Sequence, residues 1–176
     1  MRYLRLLVCL LGLLSTVASL HAQREKLPPE DLAIVEKRWP NAKKTSTGLR
    51  YVIQEEGTGA PAAPGDLVSV NYRGLLLDGR VFDYAPKPEK PEPFAFRLGR
   101  GQVIEGWDQG IQLMRLGTKL TLIIPYELGY GTRGNLPDVP GRATLVFEVE
   151  MVKIERYVPI PSTMPAVPDP KAKKKK

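Results

Sequence analysis

Val103-Ile104-Glu105-Gly106-Trp107-Asp108-Gln109-Gly110-Ile111-Gln112-Leu113-Met114 is a stretch of helical period set among segments that alternate every second residue. Ile104, Trp107, Ile111 and Met114 stand three, four and three apart, which places them on one face of a helix. Gly106 and Gly110 are poor helix formers. Their place between the apolar positions points to close approach by another element, since glycine carries no Cβ. Gly117 ends the segment. A helix of this kind needs an apolar surface to lie on, and the flanking residues supply strands.

Upstream, Phe94, Phe96 and Leu98 alternate with Ala95 and Arg97. Residues 85–93 hold four prolines and four charges, which excludes a central strand there. Asp78-Gly79, between Leu75-Leu76-Leu77 and Val81-Phe82-Asp83, is a hairpin signal. Val68, Val70 and Tyr72 form another period-two run, as do Tyr51 and Ile53, which Gly57 terminates. Residues 59–65, with two prolines and three alanines, read as a loop. Downstream, residues 119–124 and 143–154 are rich in β-formers. Many strands and one short central helix predict an α+β fold, an antiparallel sheet wrapped over the helix.

The ends of the chain read differently. Arg2 and Arg5 precede an apolar run over residues 6–14, and the small residues Ser15, Thr16, Ala18, Ser19 and Ala22 follow. That is the pattern of a secretory signal peptide over residues 1–22. Cleavage after Ala18 or Ser19 and an uncleaved anchor remain as alternatives. Residues 23–47 form a polar extension. Within it Pro28-Pro29-Glu30-Asp31 opens a short amphipathic helix through Leu32, Val35 and Trp39, which Pro40 stops. The helix is expected to pack on the main domain, with a dimer contact as the alternative. Residues 157–176, rich in proline and ending in Lys171 and Lys173, Lys174, Lys175 and Lys176, read as a disordered tail.

These ends change what the composition means. The 176-residue chain carries a formal charge of +7, which raises nucleic acid as a partner. Residues 23–160 alone hold 19 basic and 18 acidic side chains, so the excess belongs to the two ends and no specific nucleic-acid partner is expected. The lysine tail fits a weak contact with an anionic surface. The one Cys, Cys9, and the one His, His21, both lie in the leader. A mature chain without either has no disulfide, no Cys nucleophile, no Ser-His pair and no His-based metal site. No metal and no cofactor is expected. Gly129-Tyr130-Gly131-Thr132-Arg133-Gly134 fits the G-x-G-x-x-G pattern, but a dinucleotide site needs a helix opening at those glycines, and Pro137 and Pro140 exclude one.

Six ordered motifs carry a resemblance. They are Val70-Asn71-Tyr72-Arg73-Gly74; Asp78-Gly79-Arg80-Val81-Phe82-Asp83; Pro93-Phe94-Ala95-Phe96-Arg97-Leu98-Gly99; Val103-Ile104-Glu105-Gly106-Trp107-Asp108-Gln109-Gly110; Ile124-Pro125 with Gly129-Tyr130-Gly131; and Ala143-Thr144-Leu145-Val146-Phe147-Glu148-Val149. Over residues 48–156 the chain resembles the FKBP-type peptidyl-prolyl cis/trans isomerases, here in an exported bacterial form, periplasmic or secreted. The resemblance implies a five- to six-stranded antiparallel half-barrel curled around one helix, with a proline pocket between them. It implies that Trp107 floors the pocket and that Tyr72, Phe82, Phe94, Val103, Ile104 and Phe147 wall it. Asp83 sits at the rim, the Ile104 N–H and the Tyr130 hydroxyl bind substrate carbonyls, and Val139 contributes from the covering loop. Phe96 and Leu98 are read as plain core.

The implied partners are proline-containing polypeptides and macrolide inhibitors. Two departures from the family pattern stand out. The family often has an Arg after the Phe-Asp pair, where this chain has Lys87 and Lys90 in a longer Pro-rich stretch. Asp138 also breaks an apolar, Pro-Pro-containing loop. These departures leave a second reading open: a proline-binding chaperone or interaction module with little turnover.

Overall fold

The period-two runs become strands of a single antiparallel sheet in a computed structural model of the chain, which describes residues 25–158. In chain order the elements are α1 (Pro29–Arg38), β1 (Lys43–Lys44), β2 (Arg50–Glu55), β3 (Leu67–Leu76), β4 (Val81–Ala85), β5 (Phe94–Arg97), α2 (Glu105–Gly110), β6 (Lys119–Ile124) and β7 (Leu145–Glu155). Short 3₁₀ turns follow α2 at Ile111–Leu113 and β6 at Tyr126–Leu128. The leader expected over residues 1–22 and nearly all of the tail expected over residues 157–176 lie outside the described residues.

The strand order is β1-β2-β6-β7-β3-β4, with β5 also on β3. β4 and β5 therefore share one edge of β3 in tandem: Val70 faces Phe94 and Gly74 faces Asp83. The sheet has seven strands, where five to six were expected. β1 pairs only Lys43 with Tyr51 and Lys44 with Arg50, and two lysines give alternation nothing to register.

Val68, Val70, Leu120, Leu122, Ile124, Phe147 and Met151 turn one face of the sheet onto Trp107, Ile111 and Met114. The glycines make this contact close. A Cβ on Gly106 would lie 2.5 Å from Cγ2 of Ile124, and one on Gly110 2.5 Å from Cδ2 of Leu122. The helix is shorter than its apolar spacing predicts. The Gln112 side-chain amide donates to the Asp108 carbonyl (2.5 Å), competing for the acceptor a longer α-helix would use. The chain tightens into a 3₁₀ turn, with the Met114 N–H on the Ile111 carbonyl.

The opposite face is covered at one end by α1. Val35 is fully buried and packs with Leu27, Leu77, Ile123 and Val146. Three polar ties fix the helix and its approach. Arg38 donates to the Leu77 carbonyl (2.6 Å), Thr144 donates to Asp31 (2.6 Å), and Glu25 pairs with Lys44 and Arg50, each at 2.8 Å.

Candidate functional site: an aromatic cleft

The seam between β4 and β5 opens beside α2. Tyr72 of β3 and Phe94 of β5 reach it from the sheet, and Phe147 reaches it from β7. Trp107 rises from the first turn of α2 to meet them. The Trp107 ring is 3% exposed and stands nearly perpendicular to three of its neighbours: 4.9 Å from Tyr72, 5.2 Å from Phe147 and 6.0 Å from Phe94. Such edge-to-face rings satisfy their quadrupoles and leave an apolar floor. The cavity above it measures about 390 Å³, and Asp83, Val103, Ile104 and Tyr130 close its sides with Gly101 and Gln102.

Two residues assigned to the site do not reach its lining. Phe82 packs behind it, edge-on to Phe147 at 5.5 Å, in the space left by Gly74, where a Cβ would come within 2.8 Å of both rings. Val139 exchanges both backbone hydrogen bonds with Asn135 (2.8 and 2.9 Å), and the turn this closes drives the side chain into the core at 1% exposure. Leu136, at the tip of that turn, is 73% exposed. Phe96 and Leu98 are core, 3% and 0% exposed.

The polar rim is built around Asp83. Tyr72 donates its hydroxyl to Oδ2 (2.5 Å), the Tyr84 N–H donates to Oδ1 (2.9 Å), and the Lys87 ammonium lies 3.0 Å from Oδ1. The Pro-rich stretch thus supplies its own cation. Lys87 and Lys90 exchange backbone hydrogen bonds (3.0 Å each) and close a tight turn that carries Lys87 back over β4. Burial, followed by the hydrogen bond to Asp83 and its charge, pushes the Tyr72 hydroxyl pKa well up. Burial and then the Asp83 charge raise Tyr130. Both hydroxyls are therefore neutral donors at neutral pH.

Gln102 and Gly101, which sequence reasoning missed, belong to a loop fixed from α2. Asp108 accepts from the Gly99 N–H (2.8 Å) and the Gly101 N–H (3.0 Å). The signal was present as an Asp in a first helical turn preceded by three glycines in eight residues, at positions 99, 101 and 106 with Asp108 beyond them. Among the described residues no protein group accepts from the Ile104 N–H, at the cap of α2 beside the cleft. A larger cavity, about 840 Å³, lies between residues 25–31 and the approach to β7. Its walls mix the charged Glu25, Glu30, Asp31, Glu127 and Arg142 with Leu27, Leu77 and a single aromatic residue, Tyr126, and Glu25 and Asp31 are already bonded to protein groups.

A curled antiparallel sheet holding one inner helix, with an aromatic cleft between them, is an FKBP-like fold. Solved structures agree. That of FkpA from Escherichia coli superposes with a TM-score of 0.64 at 38% identity, over 72% of this chain and 58% of that one. That of AtFKBP13 gives 0.61 at 35% identity, over 64% and 98%. The family model "FKBP-type peptidyl-prolyl cis-trans isomerase" matches residues 59–152, and the chain belongs to that family. It is 56% identical over 92 residues to the Mus musculus peptidyl-prolyl cis-trans isomerase FKBP2, covering 52% of this chain and 64% of that protein. It is 42% identical over 148 residues to the FK506-binding protein 2B of Rhizopus delemar, covering 83% and 63%. The chain thus spans just under two thirds of the length of these relatives.

Proposed function

We propose that the protein is a peptidyl-prolyl cis/trans isomerase that accelerates X-Pro rotation in exported proteins by holding proline, without covalent chemistry, in the aromatic cleft. The observation that carries this reading is the cleft itself: Trp107 beneath Tyr72, Phe94 and Phe147, with neutral hydroxyl donors and an oriented carboxylate at the rim.

The chemistry such a site must do is small. Rotation about a peptide bond costs about 18–20 kcal/mol because amide resonance is lost. X-Pro bonds populate both isomers and exchange slowly. No bond breaks, so no nucleophile or metal is needed. In the twisted state the C–N bond loses double-bond character and the carbonyl becomes less polar. Removing that group from water then costs less than removing the planar amide. A water-excluding aromatic site lowers the barrier differentially, as catalysis requires. The roles proposed are Trp107 as floor, Tyr72, Phe94, Val103, Ile104 and Phe147 as walls, Phe82 as the support behind Phe147, and Tyr130 and the Ile104 N–H as donors to substrate carbonyls. Asp83, held by Tyr72 and Lys87, sets the field at the rim. Macrolides that mimic a proline-containing segment are proposed to compete for the same cleft.

Export, to the periplasm or outside a bacterial cell, is proposed from residues 1–22 alone. Residues 171–176 are proposed to give weak contact with anionic surfaces.

The test is acceleration of cis-to-trans exchange in a short X-Pro peptide. The full chain is expected to accelerate it. Phe94→Ala and Trp107→Leu, with folding checked by circular dichroism, are expected to lose at least tenfold, which corresponds to about 1.4 kcal/mol of barrier. No acceleration by the parent, together with tight binding of a proline peptide, would establish the chaperone or interaction module instead.

A further inference from the structure

We propose that residues 164–168, Met164-Pro165-Ala166-Val167-Pro168, occupy the proline cleft of the same molecule, so that the chain's own C-terminal segment competes with substrate. This rests on the proline-binding reading above and names a regulator of that site.

The first support is where the described chain leaves the sheet. Asp66, 3% exposed, accepts from the Tyr157 N–H (2.9 Å) and from Arg156 (2.7 Å). Arg156 also donates to the carbonyls of Ala60 and Pro61, each at 2.8 Å. The Tyr157 ring lies over Gly65, whose φ is +94° and where a Cβ would stand 3.2 Å from the ring. The exit is therefore fixed, and Val158 beyond it is 77% exposed.

The second support is what the exit adjoins. The Arg100 guanidinium carbon is 5.9 Å from the centre of the Tyr157 ring. Gly101 and Gln102, next in sequence, form one wall of the cleft, and Asp108 holds that loop in place. Summing these links at ordinary bond dimensions puts Tyr157 within roughly 20 Å of the cleft wall. Extended proline-rich chain covers about 3.1 Å per residue. Pro165 and Pro168, eight and eleven residues past Tyr157, reach roughly 25 and 34 Å, enough to span that distance anywhere up to its bound.

The third support is chemical. Residues 159–170 contain five X-Pro bonds, and in four of them an apolar residue precedes proline: Val158, Ile160, Met164 and Val167. An apolar floor with neutral hydrogen-bond donors at its rim accepts such pairs. A short tether gives an effective concentration in the millimolar range. A segment binding with millimolar affinity would then fill the cleft about half of the time.

The experiment compares the full chain with a full-length variant carrying Pro159→Ala, Pro161→Ala, Pro165→Ala, Pro168→Ala and Pro170→Ala. The variant is expected to show kcat/KM on an X-Pro peptide about two- to fivefold higher, at every enzyme concentration. A synthetic peptide of residues 158–168 at millimolar level should reverse the gain. A second readout does not depend on turnover. The Trp107 indole N–H signal, assigned with Trp39→Phe, should shift between the two proteins and return when the peptide is added. Equal kcat/KM with superimposable Trp107 signals overturns the inference while leaving the isomerase reading intact. A shifted signal in a protein without turnover supports the inference and removes the isomerase reading. A gain that vanishes on dilution places the segment in a second copy and overturns the assignment to the same molecule.

Discussion

Asp83 shows how much of the site is decided by single side chains. Its carboxylate collects a tyrosine hydroxyl, a backbone N–H and an ammonium, so both oxygens are directed. Tyr72→Phe removes one charge-assisted bond at a half-buried position and is expected to cost about 1 kcal/mol at pH 7. The pH dependence follows from the raised tyrosines. Tyr72 and Tyr130 hold their protons in the folded state to higher pH than the ordinary value of 10.0. Their contribution is complete below pH 10 and is lost as pH rises above it, because the unfolded chain releases those protons first. Urea titrations from pH 8 to 11 should show stability falling above pH 10, and falling less steeply in Tyr72→Phe. Equal slopes would contradict the assignment. The aromatic set at this scale was legible in the sequence, because the motifs that carry Tyr72, Trp107 and Phe147 are local strings. The cation on Asp83 was not. It depends on the turn that Lys87 and Lys90 close, and four prolines and four charges show only that the stretch is no central strand. Val139 lies in the core for a related reason: its backbone exchange with Asn135 sets which way the loop points, and no periodicity records that.

At the scale of elements, α2 and α1 are held by opposite means. α2 lies against β6 through missing atoms. Gly106→Ala would press a methyl onto Ile124, which is fully buried and branched at Cβ, and is expected to cost about 1–3 kcal/mol in chemical denaturation. A neutral substitution would mean the helix slides freely, against the geometry. The two glycines announced this contact in advance, whereas the length of the helix was misread because a spacing rule cannot see Gln112 reaching back to Asp108. α1 is held by charge as well as by Val35. Burial works to raise the Glu25 carboxyl, but bonds from Lys44, the Leu27 N–H and Arg50 outweigh it and hold the pKa at about 2. A depressed carboxyl contributes above its unfolded value of about 4.5 and loses that contribution as pH falls towards 2. Glu25→Gln should therefore destabilise at pH 7 and lose most of that effect near pH 2. Amide hydrogen exchange over α1 at the two pH values reads the effect locally, and equal protection in parent and variant at pH 7 would remove Glu25 as an anchor.

For the whole molecule, the distribution of charge separates the two activities proposed for the chain. Residues 23–160 are almost neutral, and the cleft presents a single carboxylate already paired with Lys87. Turnover on an uncharged X-Pro peptide should then be insensitive to salt. Residues 161–176 carry five lysines against one aspartate. Attraction between such a cluster and an anionic surface acts over roughly 10 Å at 0.1 M salt and about 3 Å at 1 M. Retention on vesicles containing anionic lipid should accordingly fall steeply between those concentrations. It should be lost in a full-length variant with Lys171, Lys173, Lys174, Lys175 and Lys176 changed to Gln, with kcat/KM unchanged if surface attraction and turnover are independent. The same variant keeps every proline of residues 159–170, so it leaves the segment proposed to compete intact and separates the lysines from it. Retention of the Gln variant equal to that of the parent would show that the lysines do not tether the protein. A fall in kcat/KM would show instead that the basic end acts on the cleft, and that the two activities are one.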